Sequence, residues 1–305
     1  MARVYSGRGF ASLVQGRSVL GGIVGEMDST RRGRFPKHLG LGLALVAVAW
    51  TANWGLDGLR THLWFAPLWV GYALVVDGLC VLRNGSSILT RSPRLYAQLF
   101  LLSAPGWWLF ELINARLANW EYTSREAFSD LEYFTFATIS FSTVMPAVFG
   151  TAELVRGARF VERFERGPRW EATNTKLASY ALIGVAMVVA MLAWPRWFFP
   201  FEWMSLVFLL EPLAHRLGRR SFSRDLALGD WRTWMSLWLG GLVCGFFWEF
   251  WNFWSDPKWI YHVPGVDFWR VFEMPLLGYL GYFPFAMELW LLVQLCLPRA
   301  RELRI

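Results

Sequence analysis

Long apolar runs alternate with short polar connections along most of this chain. The runs fall at about 39–54, 64–82, 96–114, 131–153, 177–194, 199–215, 233–253 and 271–296. Each is long enough, or nearly so, to cross a hydrocarbon core of ~30 Å as an α-helix. A backbone in that medium must satisfy its own polar groups, so helix is the expected form. The pattern predicts an all-α fold, a polytopic membrane bundle of about eight transmembrane helices.

The connections set an orientation. With the N-terminus on the cytoplasmic side, the segments there hold 24 of the 30 Lys and Arg residues, and the other side holds six. Positive charge collects on the cytoplasmic side of membrane proteins. Both termini are therefore expected in the cytoplasm, with the chain multi-pass in the inner (plasma) membrane. The opening "MARVYSGRGFASLVQGRSVLGGIVGE" does not read as a signal peptide, because Arg17 interrupts its apolar stretch. Met27 offers a second start just before a basic flank, so residues 1–26 are expected to carry no function.

The polar positions recur. Setting "LWFAPLWVGYALVVDGL" on "WFFPFEWMSLVFLLEPL" matches Trp69 to Trp203 and Asp77 to Glu211. Further on, Glu111 matches Glu249, Asn114 matches Asn252, Trp120 matches Trp259, Tyr122 matches Tyr261 and Glu153 matches Glu288. The offsets stay between 134 and 139 residues, as a tandem duplication with small insertions requires. Four spans per unit put both units in the membrane in the same sense, a 4+4 parallel tandem repeat. The expected division is a basic cytoplasmic segment (1–38), repeat 1 (39–156), a basic linker (157–176), repeat 2 (177–297) and a tail (298–305).

Composition changes this picture in only a few respects. With 55% hydrophobic residues, 17% charged, 20 Trp and 25 Phe, the chain is too apolar for an ordinary soluble domain. The net charge of +7 sits in short connections, so membrane lipid and not nucleic acid is its expected partner. Arg outnumbers Lys 27 to three, as in GC-rich coding, and a bacterial source is expected. Cys80, Cys244 and Cys296 show no paired spacing, and HExxH, GxxxxGK[ST], GxSxG and CxxC are absent. No metal and no cofactor is expected. Oligomeric state is not legible.

The candidate chemistry lies in "CGFFWEFWNFWSDPKWIYHVP" and its earlier counterpart "APGWWLFELINARLANWEY". Each sets Glu and Asn three apart, on one helix face, followed by W-x-Y. Glu111, Glu249, Asn114 and Asn252 are candidate catalytic residues. A carboxyl in apolar surroundings would keep its proton and could protonate a lipid-like substrate, while ring faces steady a developing cation. Trp107, Trp108, Phe247, Trp248, Trp251 and Trp254 are expected to wall that pocket. Trp120, Trp259, Tyr122 and Tyr261 join Trp108, Trp248 and Trp251 as candidate substrate contacts. Asp77, Glu211 and Glu288 are further candidate substrate-binding residues, Asp77 and Glu211 either as a second acidic site or proton path or as carboxylates paired with arginines of the cytoplasmic connections. Glu153 is expected to pair locally with Arg156. Equally, Glu and Asn can act as packing glue across helices.

The stretches "PLWVGYALVVDGL", "LTRSP", "LFELIN" and "FEMPLLGYLGYFPFAMELW" resemble a family of bacterial multi-pass membrane proteins across most of residues 40–295. That resemblance implies the fold and no activity. More distantly, the duplicated layout resembles integral-membrane carotenoid (lycopene) cyclases and hydratases, in which helix-borne acids protonate a polyene. Their proline-glutamate-glutamate motif is absent here, where only "LLEPL" and "FEMPL" occur. Two functions fit: an enzyme acting on an isoprenoid or other lipid, or a transporter or scaffold whose acids bind protons or cations.

Overall fold

The computed structural model describes residues 35–305; the readings made on the leader and on Met27 lie outside the described residues. In chain order the helices are α1 (Lys37–Gly55), α2 (Thr61–Asn84), α3 (Ile88–Arg91), α4 (Pro93–Leu117), α5 (Asp130–Phe141) and α6 (Val144–Arg156). They continue with α7 (Asn174–Ala193), α8 (Pro195–Phe198), α9 (Glu202–Arg216), α10 (Phe222–Leu228), α11 (Arg232–Phe253) and α12 (Tyr282–Cys296). Strand β1 (Trp120–Tyr122) pairs with β2 (Trp259–Tyr261), and β3 (Arg270–Val271) with β4 (Met274–Pro275). The fold is mostly helical. Among the described residues four helical stretches are long and apolar enough to cross a membrane: Thr61–Asn84, Asp130–Arg156, Asn174–Ala193 and Leu276–Cys296.

Two expected runs are broken. The run at 131–153 divides at Ser142 and Thr143, whose hydroxyls bond back to the carbonyls of Ile139 (2.6 Å) and Ser140 (2.7 Å). Such back-bonding competes with the helical ladder, and Pro146 then offers no N–H to it. The run at 271–296 begins with the β3–β4 turn and a 3₁₀ turn at Leu276–Gly281, so α12 itself starts only at Tyr282.

The core forms where α6 packs against α2 and α11, and α12 against α9 and α11. Every residue of α6 from Val144 to Glu153 is buried. Two crossings need glycine. A Cβ on Gly42 of α1 would lie 2.8 Å from the Gly71 carbonyl of α2, and one on Gly240 of α11 would lie 2.6 Å from the Ala152 Cα of α6. Small residues let helix backbones approach this closely. By contrast α7 buries only Leu177, Gly184 and Met191, leaving Leu182, Val185 and Val189 exposed, as a lipid-facing helix would.

Candidate functional site

At one end of the bundle, α4 and α11 each run out into a strand of the β1–β2 ribbon. Trp120 stands opposite Tyr261 and Tyr122 opposite Trp259, with Glu121 facing Ile260 between them. The amide of Asn114 donates to the Trp120 carbonyl (2.8 Å) and its Oδ1 accepts the backbone N–H of Asn119 (2.8 Å) and Trp120 (3.3 Å). Asn252 does likewise, donating to the Trp259 carbonyl (2.8 Å) and accepting from the Trp259 N–H (3.0 Å). Both amides are thus occupied in folding the helix end onto the ribbon.

The carboxyls one turn earlier collect ring donors. Glu111 Oε1 accepts from Tyr122 O–H (2.6 Å), Trp107 Nε1 (2.9 Å) and Trp120 Nε1 (3.1 Å). Glu249 Oε1 accepts from Tyr261 O–H (2.7 Å) and Tyr282 O–H (2.6 Å), while its Oε2 is buried without a hydrogen-bond partner. Burial pushes the Tyr122 and Tyr261 phenols well above their ordinary value, so each keeps its O–H to donate. Glu111 is bonded to rings of α4 and the ribbon, and Glu249 to rings of the ribbon and α12.

Beside the ribbon lies a cavity of about 440 Å³, lined by Trp107, Trp120, Tyr122, Trp248, Trp259, Tyr261 and Tyr282 among other largely aromatic side chains. That volume is within the range of small-molecule pockets. Glu111 and Glu249 stand behind its wall; the rings they hold form it. Lys258 and Arg125 also line it, but Lys258 is paired with Glu273 and Arg125 with Asp130, so little net charge is offered to a ligand.

Other candidates lie elsewhere. Trp108 stacks on Phe134 and donates to Thr138 Oγ1 (3.0 Å). Trp251 is buried against Trp50, Trp69 and Tyr72, Phe247 packs on Tyr72 and Trp251, and Trp254 is exposed. Of the expected wall only Trp107 and Trp248 line the cavity. Asp77 and Glu211 stand where α3 and α10 begin. Asp77 Oδ1 accepts the Leu89 N–H (3.0 Å) and Oδ2 lies 3.1 Å from His38 Nε2. Glu211 accepts the N–H groups of Phe222 (3.0 Å) and Ser223 (2.8 Å) and the Ser223 hydroxyl. Both carboxyls satisfy the first turn of a short helix, a structural task. Glu153 is held by Arg91 in a bidentate pair (2.6 and 2.7 Å), whereas Arg156 reaches Glu162 instead. The expected local pair is not formed, because Arg91 on α3 faces Glu153 across the fold.

Glu288 Oε1 accepts the Leu206 N–H (3.2 Å), and near it on α9 lies Glu202, a residue the motif comparison passed over. Tyr282 and Asn119 are further cavity residues that the repeat does not mark, and Trp203, matched to Trp69 in the repeat, lines it as well. Among the described residues no group of three or more His, Cys, Asp or Glu is placed to hold a metal ion. No protein-family model, curated protein or solved structure matches the chain.

Proposed function

We propose that this is an inner-membrane protein whose ribbon-end cavity holds an isoprenoid or other lipid and acts on it by acid–base chemistry. In this reading the chain crosses the bilayer eight times as two duplicated four-helix units, with both termini cytoplasmic. The observation that carries it is an aromatic cavity in which Tyr122 bonds to the half-buried carboxyl of Glu111, and Tyr261 and Tyr282 to the buried one of Glu249.

Duplication draws support from the ribbon. Equivalent strands pair antiparallel about Glu121 and Ile260, as a two-fold axis through that point would require. The matched asparagines make matched bonds, and the matched acids Asp77 and Glu211 start matched short helices.

The chemistry follows from the layering. With the glutamic acid holding the proton and donating it to the tyrosine oxygen, the hydroxyl passes its own proton to a ligand double bond, leaving a carboxylate and a carbocation. Loss of a neighbouring ligand proton back along the same path shifts the double bond and restores the acid. The surrounding ring faces would steady the cation that forms. Asn114 and Asn252, occupied by the ribbon, act as positioning residues here.

The test is mass spectrometry of lipids co-purifying with the wild type, with Glu111→Gln/Glu249→Gln and with Ala137→Trp, which fills the cavity, at matched folded yield. One lipid species enriched over bulk membrane, altered or lost in the carboxyl variant and lost in Ala137→Trp, is the expected result. Bulk phospholipid alone in all three overturns the reading. A specific lipid carried unchanged by wild type and carboxyl variant alike would mark a transporter or scaffold.

A further inference from the structure

Behind the cavity, the first turn of α9 gathers oxygen atoms that the lipid chemistry does not use. Glu202 opens the helix and Ser205 lies one turn along on the same face. From α12, Glu288 reaches the same turn, where its Oε1 accepts the Leu206 N–H at 3.2 Å. From the bend before β1, the Asn119 amide donates to Glu202 Oε2 at 3.5 Å. Four oxygens are left over: Glu202 Oε1, Ser205 Oγ, Asn119 Oδ1 and Glu288 Oε2 are all buried and make no hydrogen bond. Their residues are between 0% and 5% exposed.

Every unmet atom here is an oxygen. Among the described residues neither Glu202 nor Glu288 belongs to an ion pair. Buried polar groups are ordinarily paired, and buried charges are paired or bind metal, so positive charge is what the cluster lacks. A proton shared between the carboxyls would serve two of the four oxygens and leave the serine and the amide carbonyl as they are. A hard cation is ligated by carboxylate, carbonyl and hydroxyl oxygen together. The N-terminal end of α9 already contributes about half a unit of positive charge, so a single added charge comes closer to balance than none.

We infer that Glu202, Ser205, Glu288 and Asn119 form a buried site for an alkali-metal cation, Na⁺ or K⁺. Asn119 also lines the cavity, so the bound ion steadies that part of its wall. The site is independent of whether the cavity ligand is chemically altered.

The test is thermal unfolding of the purified full chain in detergent, at fixed pH and ionic strength, with Na⁺ or K⁺ chloride replacing N-methyl-D-glucamine chloride. Wild type should show a saturable rise in Tm with one of the two alkali cations, as a ligand of the folded state gives. Glu202→Gln and Glu288→Gln should abolish the rise. Ser205→Ala, a small change that keeps the fold, should move the half-saturating concentration up by about tenfold, the order seen when a metal's supporting groups are disturbed. A wild-type Tm that ignores both cations overturns the site, and a second series at varied pH then shows whether protons take the ion's place. Variants that respond to salt as wild type does would place the ion elsewhere and overturn it equally.

Discussion

Asn114 and Asn252 fold two helix ends onto one ribbon with the same bonds. Each amide donates at 2.8 Å to the carbonyl of the strand's first tryptophan, and each Oδ1 accepts that tryptophan's N–H. Both side chains are buried, so water cannot replace what a substitution removes. Asn114→Ala or Asn252→Ala should each destabilise the fold by roughly 1–3 kcal/mol, the cost of leaving a buried donor or acceptor unmet. Thermal unfolding measures the loss. Hydrogen exchange should quicken first at residues 119–123 and 258–262; equal quickening throughout the bundle would contradict a local clamp.

Tyr261 and Tyr282 divide one carboxylate oxygen between them, at 2.7 and 2.6 Å. Either phenylalanine variant leaves Glu249 a single donor and keeps a ring on the cavity wall. The double variant Tyr261→Phe/Tyr282→Phe should retain helical content by circular dichroism and still purify with the cavity lipid, but unaltered. Altered lipid in the double variant would remove these hydroxyls from the chemistry.

Arg91 and Glu153 form a bidentate pair of low exposure (14% and 3%). Removing the guanidinium alone strands a buried carboxylate, and Arg91→Ala should cost roughly 3–5 kcal/mol. The paired change Arg91→Met/Glu153→Met should recover most of that stability, since well-packed apolar pairs commonly match buried ion pairs. Arg156→Ala, which loses only the half-exposed Glu162, should cost far less. Denaturant unfolding of the four chains checks the order.

These contacts also show what the sequence could reveal. The apolar runs located the helices to within a few residues, apart from the break at Ser142–Thr143 and the late start of α12. Recurrence brought out Glu111, Asn114 and their matches, because the same types returned at nearly the same spacing. Partners did not recur and stayed hidden. Arg156 is three residues from Glu153, yet the partner is Arg91, 62 residues away. Tyr282 meets Glu249 across 33 residues, a relation only packing creates. Glu202 stood inside an aligned segment opposite Leu68, so a search for matched acids passed it over. The expected pocket wall failed for a similar reason. Trp108 and Phe247 are adjacent in sequence to the wall residues Trp107 and Trp248 but point from other faces of their helices.

Glu162 lies in the connection after α6, outside the apolar helices, and bonds to Arg156 (2.6 Å) and Arg232 (3.0 Å). Those two hydrogen bonds hold its carboxyl below the ordinary 4.5. A depressed carboxyl adds stability that is present above its unfolded value and is lost as pH falls through its folded one. The Tm difference between wild type and Glu162→Gln should therefore be constant from pH 7 to 5 and shrink as pH falls below 4.5. A difference that grows on acidification would reverse the assignment.

Glu126 and Arg94 are exposed at opposite ends of α4, one beyond the ribbon and the other in the helix's first turn. In the proposed orientation the segments at the Arg94 end hold 24 of the 30 basic side chains, and that charge fixes the end to the cytoplasm. In a Cys296→Ser background, which removes the exposed native thiol, Glu126→Cys should react in whole cells with a membrane-impermeant maleimide admitted to the periplasm. Arg94→Cys should react only after the membrane is opened. The reverse pattern would invert the topology. It would also turn the cavity, which opens beside the ribbon, towards the cytoplasm and change which pool of lipid can reach it.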